Sequence, residues 1–174
     1  SIEKFKEVLK LEGETSSTFR MMLKAWKAIE GLSDAEQFLK NYQTSNGDST
    51  HIWYAFGYLN YLKADYEEAE KNFEKALKIN PANGLALNNL GAILSEKKQY
   101  VLAIERVKNA IQADPRESIF FSNLYKIYQE MGKPDRFANE YKNTQQQNPE
   151  KWGYGKTLAR VIRQRAFGFY SKGD

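Results

Sequence analysis

Few residues in this chain have the chemistry for catalysis. His51 is the only histidine and cysteine is absent. This excludes thiolate chemistry, disulfides and any metal site built from several histidines. No Ser or Asp stands at a suggestive spacing from His51, which reads as a surface or groove histidine rather than a general base. Gly153-Tyr154-Gly155-Lys156-Thr157 looks like part of a phosphate loop. That motif also needs Gly five places before Gly155, where the chain has Glu150, and a preceding strand that the helical context does not supply. Glu67, Glu68, Glu70 and Glu74 lie among Lys71, Lys75 and Lys78, the pattern of a solvated helix face. The expectation is a chain that is not an enzyme and has no catalytic, metal or cofactor site.

The elements around these residues follow from composition and spacing. A length of 174 residues suggests one domain, and 41% apolar with 14% aromatic residues indicates a packed core. The longest apolar run, residues 52–59, is far shorter than the roughly 20 residues of a membrane span. No signal peptide is visible, and Ser1 in place of an initiator Met suggests a processed or excised chain. The net charge is +4, but from residue 151 onward there are six basic residues and only Asp174. That leaves 20 of the 26 basic and 21 of the 22 acidic residues before it, a net of −1. Positive charge confined to one end argues against nucleic acid as the partner. A minor option is contact of the basic terminal helix with RNA or anionic lipid.

Pro81, Pro115 and Pro149 are spaced by 34 residues, and the same step backwards reaches Gly47 and Gly13. In units 16–49, 50–83, 84–117 and 118–151 the fourth place reads Phe19, Trp53, Leu87, Phe121. The eighth place reads Leu23, Gly57, Gly91, Tyr125, and the twentieth Ala35, Ala69, Ala103, Phe137. The twenty-fourth reads Leu39, Phe73, Val107, Tyr141. Each unit contains two single-face helical stripes, with a turn such as Lys63-Ala64-Asp65 between them. Trp53, Phe56, Phe73, Leu90, Val107 and Tyr141 read as core, and Pro134 as the opening of a helix.

Trp-x2-Phe-Gly, then Ala-x3-Phe, then Pro resembles the tetratricopeptide repeat. Units 50–83 and 84–117 match well, 118–151 matches in spacing, and 16–49 is degenerate. Residues 1–12 resemble the second helix of a preceding unit, and 152–171 a terminal capping helix. The resemblance implies an all-α fold, a right-handed α-solenoid of stacked antiparallel helix pairs, over essentially the whole chain.

In proteins of this family the first helices line a concave groove through their second, fifth, ninth and twelfth places, sometimes with the sixth. Carried over, these places give Arg20, Lys24 and Lys27, then His51, Tyr54, Tyr58 and Tyr61. They continue with Asn88, Asn89, Asn123 and Lys126, and with Lys156, Arg160 and Arg163 in the last helix. Tyrosines offer rigid contact area with a polar tip, amides suit a peptide backbone, and cations suit carboxylates. The alternative for any one cation is an ordinary solvated face. The clamp that holds C-terminal tails of heat-shock chaperones is not expected. Tyr54 and Tyr58 occupy its Lys and Asn places, and Ile119 and Asn123 its later Lys and Arg places.

The functional expectation is a protein-interaction scaffold that binds an extended, partly acidic peptide in the groove. The alternatives are a self-assembling module, stacked through Phe5, Val8 and Leu11 or Phe167, Phe169 and Tyr170, and a regulatory arm of a larger enzyme or membrane machine. The terminal helices also allow a homo-oligomer. A soluble cytoplasmic or periplasmic location is expected, with the two not distinguished.

Overall fold

The computed structural model describes residues 2–137 and 139–140. Among the described residues eight helices follow one another: α1 Ile2–Glu12, α2 Ser16–Ala28, α3 Leu32–Asn46, α4 Thr50–Leu62, α5 Tyr66–Ile79, α6 Gly84–Glu96, α7 Tyr100–Ala113 and α8 Ser118–Glu130. Pro134 opens a further helical segment, and no strand occurs among the described residues. Within a unit, a short turn folds the second helix back against the first, as in α4 with α5 and α6 with α7. The first helices α2, α4, α6 and α8 then pack in succession. The fold is the expected α-solenoid of antiparallel pairs.

The starts and stops of these helices have local causes that recur every 34 residues. Thr15, Ser49 and Asn83 cap α2, α4 and α6, each accepting a hydrogen bond from a backbone N–H three residues on. At the other end of the first helices, Glu30, Ala64, Lys98 and Gly132 all take the left-handed conformation, with φ of 58°, 63°, 59° and 71°. The next residue's N–H then bonds back to Trp26, Asn60, Leu94 and Tyr128 carbonyls at 2.8–3.0 Å, which is the Schellman closure. Three of the four positions bear a side chain, so the turn conformation is imposed by the helix pair on residues that disfavour it.

The small residues at the eighth place have a steric cause. A Cβ on Gly57 would lie 2.5 Å from the Phe73 ring, and one on Gly91 2.5 Å from Val107 Cγ2. Ala69, Ala103, Phe73 and Val107 are fully buried at these crossings. In the unit that begins with α8, Tyr125 and Phe137 meet edge to face at 5.3 Å instead. The core runs along the stack in two clusters. Leu90 and Ile93 of α6 join the first and Leu87 the second, so α6 belongs to both.

Polar contacts between units also repeat. Lys63 pairs with Glu36, and Lys97 with Glu70 at 2.7 Å, joining the fourteenth place of one unit to the twenty-first of the unit before. Asn83 Nδ2 donates to Ser16 Oγ at 2.9 Å and to Thr50 Oγ1 at 3.0 Å, tying the starts of α2, α4 and α6.

The structure corrects two details of the core. Trp53 and Phe56 are half-buried at its edge, and Lys75 Nζ lies 4.1 Å from the Trp53 ring centroid. Two of the three residues expected as a sticky N-terminal end are already covered. Phe5 packs on Trp26 with ring centroids 4.0 Å apart and Val8 is half-buried, leaving Leu11 exposed. Tyr141, Phe167, Phe169, Tyr170 and the terminal capping helix lie outside the described residues.

Candidate functional site

The first helices enclose a cavity of about 220 Å³, and every residue lining it belongs to α2, α4, α6 or α8. Its cations are Arg20, Lys24 and Lys126, its aromatics Tyr58 and Tyr61, and its amides Asn88, Asn89 and Asn123. These eight come from positions far apart in sequence and meet at one place. Among the described residues Ala92, Ser95, Ile119 and Ile127 complete the wall with Glu96, the one acid among them. With three cations against one carboxylate, the lining carries a formal charge of +2.

The remaining expected groove residues are placed differently. Lys27 is exposed and lies outside the cavity. Tyr54 is a correction: it is fully buried and packs on Phe73 at 5.7 Å, so it supports the groove from beneath. His51 is another, because it is half-buried away from the cavity with Nδ1 3.0 Å from Ser16 Oγ. Lys156, Arg160 and Arg163 fall outside the described residues.

Helical spacing gives the aromatic wall its order. Tyr54, Tyr58 and Tyr61 stack nearly parallel along α4, with centroids at 5.9 and 6.1 Å and interplanar angles of 8° and 11°. Burial raises the pKa of Tyr58 and of Tyr61, so both phenols stay protonated and available as donors. Burial raises Tyr54 still further, and its hydroxyl accepts from Asn89 Nδ2 at 3.3 Å.

The amides form a chain. Asn123 Nδ2 donates to Asn88 Oδ1 at 2.9 Å, and Asn88 Nδ2 donates to Asn89 Oδ1 at 3.4 Å. Asn88 and Asn89 are buried at 2% and 9% exposure. Each amide nitrogen carries a second hydrogen, and the bonds of the chain fix the direction of these donors.

The cations differ in their engagement. Arg20 Nη2 lies 3.3 Å from Glu117 Oε2. Lys126 lies 3.3 Å from Glu130 and 3.5 Å from Glu96. Burial works to lower the Lys126 pKa, but its bonds and charge contacts with Glu130 and Glu96 prevail and raise it. Lys24 is exposed and has no hydrogen-bond or ion-pair partner among the described residues. Sequence reading did not find Glu117, Glu96 or Ile127. Glu117 carries no groove signal at all, because it precedes α8 as a helix cap.

Among the described residues no group of three His, Cys, Asp or Glu side chains is placed to hold a metal ion. No described helix is long and apolar enough to cross a membrane.

Comparison with known proteins places the repeat in context. Residues 50–83 and, overlapping them, residues 72–105 match tetratricopeptide repeat family models. No curated protein matches the chain in sequence. In fold it is similar to MamA, at 20% identity over 95% of this chain and 88% of that one, with a TM-score of 0.59. It is also similar to Pseudomonas aeruginosa PilF, at 20% identity over 91% and 77%, with a TM-score of 0.63. A third similar structure is YrrB, described as a TPR protein with an unusual peptide-binding site. It is 20% identical over 92% of this chain and 84% of that one, with a TM-score of 0.56.

Proposed function

We propose that this chain, which carries tetratricopeptide repeats, is a non-catalytic protein-interaction scaffold whose first-helix face receives an extended, partly acidic segment of a partner. One observation carries the reading: Arg20, Lys24, Tyr58, Tyr61, Asn88, Asn89, Asn123 and Lys126 line a single cavity of about 220 Å³. Amides with fixed direction suit a peptide backbone, the tyrosine wall suits an apolar or aromatic anchor, and the excess cations suit carboxylates. YrrB, a similar fold, is described as having a peptide-binding site, which supports peptide binding as the use of this fold. The proposal extends to the chain's organisation: one array of units 16–49, 50–83, 84–117 and 118–151 between the half unit 1–12 and a cap at 152–171.

The test is titration of the whole chain with an acidic peptide and with its uncharged Gln counterpart. Acidic peptide binding that weakens with added salt, and is lost in Lys24→Glu/Lys126→Glu of unchanged helicity, is the expected result. Equal affinity for the two peptides would overturn it.

A further inference from the structure

We infer that Glu117 is the chain's own occupant of the carboxylate site at Arg20, and that a partner segment with two acidic residues two positions apart binds by displacing it. This deepens the function proposed above and rests on it.

Arg20 and Glu117 come from opposite ends of the described array, 97 positions apart. Their side chains are 17% and 28% exposed, so each is partly withdrawn from water. A cation so placed needs a partner, and Glu117 supplies it when no ligand is present. The bond is loose: one Nη2–Oε2 contact at 3.3 Å, against about 2.8 Å for a well-formed charge-assisted bond. Glu117 also has a second use, because its Oε1 accepts from Ile119 N at 3.5 Å at the start of α8. A carboxylate at a helix N-terminus remains favourable there after it lets Arg20 go. Release therefore forfeits one long ion pair and leaves the cap in place.

The ligand class follows from α2. Arg20 and Lys24 are one helical turn apart on the same face, a rise of about 6 Å. In an extended peptide, side chains two positions apart point the same way about 7 Å apart. An acidic-x-acidic segment therefore sets its first carboxylate on unpaired Lys24 and its second on Arg20, in the place of Glu117. Lys126, held by Glu96 and Glu130, is left to its own carboxylates.

The experiment uses a capped decapeptide of alternating Glu and Ser, titrated by calorimetry at low ionic strength into four forms of the whole chain. These are the unaltered protein, Glu117→Gln, Arg20→Gln/Glu117→Gln, and Glu105→Gln, an exposed charge-matched control on α7. Glu117→Gln is expected to bind about threefold tighter than the unaltered chain. The gain should vanish in the double variant and be absent in Glu105→Gln. A gain in affinity cannot come from misfolding, and circular dichroism checks helicity in each variant. Equal affinity of Glu117→Gln and the unaltered chain overturns displacement but leaves the acidic groove standing. The same gain in Glu105→Gln also overturns it, as a general charge effect. No binding by any form overturns the groove reading itself.

Discussion

Arg20 of α2 and Glu117 at the head of α8 form an ion pair across the first-helix face, 3.3 Å apart in space and 97 positions apart in sequence. Both side chains keep some contact with water, and pairs of this kind contribute about 1 kcal/mol or less. Glu117→Gln retains the oxygen that accepts from Ile119 N. Its unfolding free energy is expected to stay within about 1 kcal/mol of the parent, measured by urea denaturation. A loss well beyond that would make the pair a structural pin rather than a displaceable contact.

The two repeat glycines test the packing of the helix pairs. Gly57→Ala puts a methyl group into the Phe73 ring, and Gly91→Ala puts one against Val107 Cγ2 with Ala103 O at 3.0 Å. Helix propensity favours Ala by about 1 kcal/mol, but overpacking against a buried ring or backbone costs about 1–3 kcal/mol. Each variant is expected to be less stable by up to about 2 kcal/mol, and a rise in melting temperature would contradict the close approach.

The turns offer the opposite change. Ala64 and Lys98 hold φ near +60° with a side chain in place, where Gly132 holds the same conformation without one. Left-handed backbone costs an L-residue about 1 kcal/mol or more. Ala64→Gly and Lys98→Gly are therefore expected to raise stability by about 1 kcal/mol each. Differential scanning calorimetry reads this directly, and a fall in either variant would mean the turn is not strained.

His51 makes stability depend on pH. Ser16 Oγ, which accepts from Asn83 Nδ2, lies 3.0 Å from His51 Nδ1 and so holds the half-buried ring in place. Burial lowers the His51 pKa, and nearby Glu14 offsets this in part. A group with a lowered folded pKa binds its proton more readily when unfolded. For a histidine, the stability this confers is present above the ordinary value of about 6.5 and is lost as pH falls below it. The unaltered chain should lose stability as pH falls below about 6.5, and His51→Asn should flatten that slope. An identical slope in the variant would assign the effect to other groups.

Much of the fold was legible in the sequence because its causes are local and periodic. The glycines and alanines at the eighth and twentieth places announce where two helices nearly touch, and the prolines where a pair ends. The turn and cap residues repeat in the same register. Much of the cavity was legible too, since first-helix places recur with the unit. Tyr54 shows the limit: at a groove place by spacing, it turns beneath the wall because Gly57 lets α5 come close and Phe73 fills the space beside it.

The sequence by itself determined the 34-residue unit, the pairing of its helices and the faces they bury, because each rests on contacts within one or two neighbouring units. Only the tertiary structure decided which polar groups are already spoken for. The Asn123–Asn88–Asn89–Tyr54 chain, the Asn83 junction and the Arg20–Glu117 pair join residues from different units. They depend on how stacked helices curve, a sum of small rotations that no single repeat position encodes.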